Sequence, residues 1–409
     1  MSSPHLPISF WRTAHGVDLL RLTEKLAEEL GADPAALALK LKSTARSFTG
    51  AEVNGAIDLV IARHKAAPRL GEWCQNAYLS CRSVEQASRP EIAQHRAEMF
   101  RGAQRILEVG TGAGFDTAYL ARLGGEITSL EPDPLLADMA RHNLAVQGFT
   151  NVEIINTTFE DYLTASPLSR YDAIYADPSR RDLGGARLRS GEDYLPPLSA
   201  ITELSFEGTI GIKISPALDL ELPSGWRRQF IGFDSECLEQ TLWRGLASPP
   251  PVVHLADCDA SWGDTAAEPD TVPPSEELVG YLLDPHPALT RSHAVQSFYA
   301  AHSVRDLDPR SPYGISSAPL FTPFARLFRI LESAPYRLRD LKGRLHDLRW
   351  TNRTEIKKRG VADDPDDVRS KLKLPRHRTS SDPFGVVLLA RRGDGVVFIL
   401  AERVPAPKE

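Results

Sequence analysis

The chain is poor in cysteine. Its four residues, Cys74, Cys81, Cys237 and Cys258, are scattered over 409 positions, the nearest pair seven apart and none in C-x-x-C spacing. No disulfide framework or thiolate metal site is therefore expected, and scattered reduced thiols fit a cytosolic, cytoplasmic protein. Long apolar runs are missing too. No stretch approaches the roughly 20 apolar residues that span a bilayer. The N-terminal MSSPHLPISFWRT has neither a cationic n-region nor a continuous apolar h-region, so no membrane partner is expected. Internal repeats are absent. So is an overall positive charge: the formal net charge is −6, which rules out a uniformly basic nucleic-acid binder.

What is present is an ordinary soluble composition, 42% hydrophobic and 25% charged, on a chain long enough for two or three domains. Residues 1–100 read as a helical region. VDLLRLTEKLAEEL (17–30) carries Leu19, Leu20, Leu22, Leu26 and Leu30 broadly on one face. Asp33-Pro34 reads as a cap and first turn, GAIDLVIARHK (55–65) as another helix, and Ser88-x-x-Glu91 as a capping box. No catalytic constellation stands out there, and a helical cap is the expectation. Residues 101–260 change rhythm: strand-length apolar runs (RILEVG, EITSLEP, NVEIIN, YDAIYADP, GTIGIKISP) alternate with helical patterns. That predicts an α/β, doubly wound, Rossmann-like domain with a mainly parallel sheet. Residues 261–278 are acidic and Pro-rich and read as a linker. Near the C-terminus, FGVVLLARR and VVFILAE flank Gly-Asp-Gly, which predicts a hairpin over 384–402.

The sharpest motif is LEVGTGAG (107–114). Gly110, Gly112 and Gly114 follow a strand and precede a helix, where missing side chains let backbone approach a ligand. The third glycine comes one residue earlier than in a G-x-G-x-x-G dinucleotide fingerprint, and Glu108 stands two before the first. This E-x-G-x-G-x-G pattern resembles motif I of the class I S-adenosylmethionine-dependent methyltransferases. The resemblance implies S-adenosyl-L-methionine as cofactor, with the loop around its methionine part; its cationic groups favour nearby carboxylates. Glu131 ends the next strand, 23 positions after Glu108, where a carboxylate accepts hydrogen bonds from ribose hydroxyls. After the third strand many relatives place an Asp against adenine. Here Thr158 and Phe159 occupy that place. Either Phe159 packs on adenine, with Glu160 or Asp161 as acceptor, or Thr158 caps a helix and Phe159 enters the core.

The fourth strand ends in ADPSRR. Methyltransferases of exocyclic amino groups often carry Asp-Pro-Pro-Tyr or Asn-Pro-Pro-Tyr there. Asp177 and Pro178 match; Ser179 replaces the second proline and Arg180 the aromatic. The resemblance therefore implies Asp177 as the catalytic residue that orients the acceptor, without a stacking tyrosine. No cysteine lies in this loop, which argues against the covalent route of 5-methyluridine enzymes. Arg180 and Arg181 offer planar donors to phosphate or carboxylate, or else pair with Asp182, Glu192 or Asp193. Lys213, near the end of the next strand, is expected close to Asp177, holding phosphate or a base edge.

LEVGTGAGFDTAYLA, TTFEDYL, ADPSRR, KISPALD, SECLEQTLW, DPHPALTRS and LFRILESAPYRLRDLKGRL together resemble a bacterial methyltransferase family with a C-terminal THUMP-like domain. The resemblance implies a small α+β module: a ferredoxin-like segment over 279–323 and a THUMP-like domain over 324–409. THUMP domains bind RNA in several tRNA-modifying enzymes. Independently, residues 326–378 hold 16 Lys and Arg against 8 Asp and Glu, a net of +8 that leaves −14 on the rest. A basic module on an acidic enzyme suits an anionic polymer, although a charge run is also what a solvated face looks like. The expected function is methylation of a base nitrogen in tRNA or rRNA. The alternatives are methylation of a small molecule or protein, and a non-catalytic cofactor- and RNA-binding protein.

Overall fold

A computed structural model describes residues 6–179, 190–263 and 278–407. It divides into two compact units: residues 1–227 with 240–249, and residues 228–239 with 250–409.

The first unit opens with helices whose starts are chemically marked. Thr13 caps Ala14–Leu30 by accepting from Gly16 N, and Asp33 caps Pro34–Thr44 by accepting from Ala36 N at 2.7 Å. Gly50–Leu70 begins earlier than the 55–65 periodicity suggests. Thr49 and Glu52 form a capping box, with Thr49 N donating to Glu52 at 2.6 Å. Leu19, Leu26, Leu37, Leu41 and Val60 bury the apolar stripes in one cluster, whereas Leu30, at the helix end, is exposed. The expected capping box at Ser88 does not form. The helix is Pro90–Glu98, its N-cap is Arg89 without a side-chain cap bond, and Ser88 is used elsewhere.

Five parallel strands follow: β1 (Arg105–Val109), β2 (Glu126–Leu130), β3 (Val152–Ile155), β4 (Ala173–Ala176) and β5 (Thr209–Ile214). The chain then makes β6 (Arg227–Phe233) and β7 (Glu236–Arg244), and β7 runs antiparallel against β5. Strand order in this unit is β3-β2-β1-β4-β5-β7. The order reverses between β1 and β4, the place where open α/β sheets form a ligand crevice at the carboxyl ends of their strands. Both faces are covered, which is why the strands read as near-continuous apolar runs. Leu107, Val109, Ile174, Ala176, Ile210 and Ile212 point into one cluster, and Ile106, Ala173 and Tyr175 into the other with Phe100 and Trp243.

The second unit holds β8 (Val253–Leu255), which lies within the 101–260 span expected for the α/β domain, and β9 (Ala260–Trp262), which begins at its last residue. It also holds a seven-stranded sheet built from β10 (Tyr281–Pro285), β11 (Arg305–Asp308), β12 (Ser311–Ser316), β13 (Ala325–Pro335), β14 (Glu355–Arg359), β15 (Val386–Arg392) and β16 (Gly395–Arg403). The order is β11-β12-β10-β13-β16-β15-β14, so the 279–323 and 324–409 segments share one sheet. The Gly-Asp-Gly hairpin forms as expected: Arg392 pairs with Gly395 across Gly393 and Asp394, and Gly393 has φ +55°. The helix Pro365–Leu372 links β14 to its parallel neighbour β15. Among the described residues no helix is long and apolar enough to cross a membrane.

Gly211 of β5 sits directly opposite Trp243 of β7. A β-carbon there would lie 2.5 Å from the Trp243 ring and 2.9 Å from Phe100. Gly211→Val is expected to cost about 1–3 kcal/mol through overpacking, read as a lower urea midpoint with an unchanged m-value.

Candidate active site

Three glycines after β1 do three different things. Gly110 has φ +92°, and a β-carbon on it would meet the Asp177 carbonyl at 2.5 Å, so only glycine lets the β1 and β4 ends come together. Asp177 N donates to Val109 O at 2.9 Å, and Gly110 N to Leu130 O at 3.0 Å. Gly114, at φ +86°, starts the helix Phe115–Ala121 against Ala140. Gly112, at φ +56°, faces open space, with nothing within 4 Å of a β-carbon. That bare backbone is what a ligand would lie on.

The two glutamates flank this loop differently. Glu131 ends β2. Its Oε2 accepts from Gly112 N at 2.8 Å and its Oε1 from Asp133 N at 3.0 Å. Burial raises its pKa to about 7, and the charges of Asp133 and Asp177 push the same way, against the two amide donors. Glu108 is fully buried inside the sheet. Its Oε2 accepts from Thr117 Oγ1 at 2.6 Å and from the Ser129 hydroxyl, which ties β1 to β2 and to the helix after the loop. Burial pushes its pKa up to about 8, with Asp116 and Asp177 adding to the rise and the two hydroxyls opposing it. Glu108 therefore supports the loop from beneath. Phe159 is likewise a core side chain, 2% exposed, and Thr158 caps its helix by accepting from Asp161 N at 3.1 Å. The cap-and-core alternative describes this pair, and no ring is presented for stacking.

Beyond β4 stands a group of charges that the sequence hinted at only in part. Strand periodicity places Tyr175 and Asp177 on one face, and the β4–β5 register brings Lys213 beside them. Lys213 Nζ lies 2.7 Å from Asp177 Oδ2, 3.0 Å from Ser88 Oγ and 3.5 Å from Asp116 Oδ2. Arg96 reaches Asp116 Oδ2 at 2.6 Å and Ser88 Oγ at 3.1 Å. Ser88 Oγ donates to Asp116 at 3.2 Å, and Tyr175 OH does so at 3.0 Å. Arg96 also lies over the Tyr175 ring, 5.0 Å from its centroid. Burial alone would raise the pKa of Asp116, but Arg96 and Lys213, aided by the Ser88 and Tyr175 hydroxyls, bring it down to about 2.

Two expectations change here. Lys213 is close to Asp177 as expected, but its side chain is only 5% exposed and is enclosed by carboxylates, so it is not placed to grip a phosphate. The helical region also does more than cap the domain, because Ser88 and Arg96 enter the site. Sequence reasoning missed Ser88, Arg96, Asp116 and Tyr175. Arg96 sits at a buried position of its helix, the one hint a charged residue among apolar neighbours offers. Pro178 is buried. Ser179 is exposed and forms a backbone bridge with Leu195, N to O 2.9 Å. Arg180 and Arg181 lie outside the described residues.

The set fits S-adenosylmethionine. An open glycine backbone, a carboxylate at the end of β2 and a net acidic lining meet a partly cationic ligand at a topological switch point. Comparisons with known proteins agree. Residues 106–179 match a methyltransferase domain model, and residues 325–403 a THUMP domain-like model. Two uncharacterized S-adenosylmethionine-dependent methyltransferases of Mycobacterium tuberculosis strains are each 29% identical over 345 residues, covering 81% of this chain and 91% of theirs. This chain is an S-adenosylmethionine-dependent methyltransferase with a THUMP-like domain. The fold agrees over nearly its whole length with the crystal structure of a candidate methyltransferase from Porphyromonas gingivalis W83. The TM-score is 0.71 at 20% identity, covering 95% of this chain and 99% of the other.

Glu108 generates a stability test. Its folded pKa of about 8 lies above its ordinary value of 4.5. Its contribution is therefore complete below about pH 4.5 and is lost as pH rises through about 8. Relative to the parent, Glu108→Gln is expected to gain stability between pH 6 and pH 9, measured as the pH dependence of the urea midpoint.

Proposed function

We propose that the methyltransferase acts on a base nitrogen of tRNA or rRNA. The observation that carries this reading is the segregation of charge. Of the 16 basic residues in 326–378, twelve are exposed, including Arg337, Arg339, Lys342, Lys371, Lys373 and Arg376, on a chain that is otherwise strongly acidic. Not every charge of the run belongs to that surface. Lys357 and Arg359, two apart on β14, turn inward and reach the Asp284 carboxylate at 2.8 and 2.9 Å. The THUMP-like match over the same region adds the association with RNA-modifying enzymes.

At the reacting end, bound S-adenosylmethionine supplies an electrophilic methyl group. The chain's part is to hold and orient. Glu131 would accept hydrogen bonds from the ribose hydroxyls, the Gly112 backbone would lie against the cofactor, and Asp177, the most exposed carboxylate of the charge group, would accept from the acceptor's amino group. Catalysis then rests on positioning a nitrogen lone pair in line with the methyl group and releasing one proton to solvent or a neighbouring base. Pro178 and Ser179 border that position, and Arg180 and Arg181, which follow them in sequence, are proposed as further substrate contacts. Within the described residues of the acceptor loop, the Asp-Pro pair is the part this role uses.

Three outcomes are expected. Labelled S-adenosylmethionine should transfer methyl into undermethylated total RNA, and Lys371→Glu with Lys373→Glu should weaken RNA binding and flatten its salt dependence while leaving cofactor affinity unchanged. RNA that stays unlabelled while the cofactor binds would move the acceptor to a small molecule or protein. Ribose hydroxyls also favour an ionised Glu131, whose pKa without ligand is about 7. Cofactor affinity should therefore fall as pH drops below about 7, approaching tenfold per unit, with proton release on binding. Calorimetry from pH 5.5 to 8.5 reads this, and Glu131→Gln should abolish the slope.

A further inference from the structure

We propose that Lys213 is a positioning residue for Asp177, and that Ser88 and Arg96 of the N-terminal helical region hold it in that role. This rests on the reading of Asp177 as the group that meets the acceptor. Four carboxylates crowd the ends of β1, β2 and β4: Glu108, Glu131, Asp116 and Asp177. Facing them are two buried cations, Arg96 and Lys213, and the Tyr175 and Ser88 hydroxyls. Lys213 is the cation that touches both aspartates, at 2.7 Å from Asp177 and 3.5 Å from Asp116.

An ammonium has three donors and no acceptor. Asp177, Ser88 and Asp116 all lie within reach of this one. The Ser88 hydroxyl is used in full: it donates to Asp116 and accepts from Lys213 and Arg96. These contacts hold Nζ in place, and through Nζ they hold Asp177 Oδ2. A carboxylate keeps several further lone-pair sites, so Asp177 held in this way still accepts from an incoming amino group. Without Lys213 the quarter-exposed Asp177 side chain would lose the cation it meets among the described residues and would turn toward solvent. The arrangement also makes residues 88–96 part of the acceptor side, although they precede the 106–179 span of the methyltransferase match.

The test uses the full chain. A double-mutant cycle of Lys213→Met and Asp177→Asn in urea unfolding is expected to show coupling of about tenfold in the unfolding constant. No coupling overturns the inference whatever the acceptor is. With RNA as acceptor, Lys213→Met should lower kcat by about 100-fold, with cofactor Kd within about twofold and the salt slope of RNA binding unchanged. Lys213→Arg should recover part of the loss, and Ser88→Ala should lower kcat with KM for RNA unchanged. A salt slope reduced by about one in Lys213→Met would mark a phosphate contact and overturn the positioning role. An unchanged kcat would overturn it equally. If Lys213→Met does not fold, Lys213→Gln, which removes the charge and keeps a polar side chain of similar length, replaces it in the cycle and in the kinetic comparison. A parent that binds cofactor and leaves RNA unlabelled retires the RNA reading alone, because the unfolding cycle still tests the Lys213–Asp177 contact on which the positioning role depends.

Discussion

The ionised Asp116 carboxylate, shared by Arg96 and Lys213, is the interaction on which the site depends. Burying a charge costs several kcal/mol unless good geometry and further hydrogen bonds offset it. Asp116 receives both cations, a tyrosine hydroxyl and a serine hydroxyl. Those partners come from the helical segment, from β4 and from β5, while Asp116 itself stands in the first turn after the glycine loop. One charge therefore locks four pieces of chain together beside the acceptor loop. Its Oδ1 has no hydrogen-bond partner among the described residues, so the set is strongly but not completely satisfied.

Around that lock the sheet does the aiming. The strand order reverses between β1 and β4, which opens the crevice where Gly112 is bare and Asp177 is partly exposed. Gly110 matters because the two strand ends nearly touch; its missing side chain is the space in which the Asp177 carbonyl sits. Glu108 and Glu131 illustrate how position separates two residues of one type. The first is sealed between strands and binds hydroxyls of the fold, and the second sits at the strand end with backbone amides on both oxygens.

The second unit shows the same division within a charge run. On β14 the two-residue period sends Lys357 and Arg359 to Asp284, and the flanking helices and loop carry the exposed cations. Positive charge in this module therefore has two uses. Part of it neutralises a buried aspartate and holds strands together, and the larger part faces solvent.

Local chemistry made much of this legible from sequence. Three glycines after an apolar strand, the spacing from Glu108 to Glu131, a Gly-Asp-Gly hairpin and the Asp33-Pro34 cap are patterns whose physics acts within a few residues, and each appears where it was read. The nearness of Lys213 to Asp177 was also legible, because adjacent parallel strands end together. What only the tertiary structure decided is which charges meet. Ser88 resembles an N-cap by spacing, yet its hydroxyl closes a network with side chains 28 and 125 positions away. Arg96 looks like one more helix-surface cation until Tyr175 and Asp116 enclose it. Hydrophobic periodicity reports which face of an element is buried, but it carries no information about which partner arrives from a distant strand. Because the energy of a buried charge is set by its partners, that pairing was decided by packing alone.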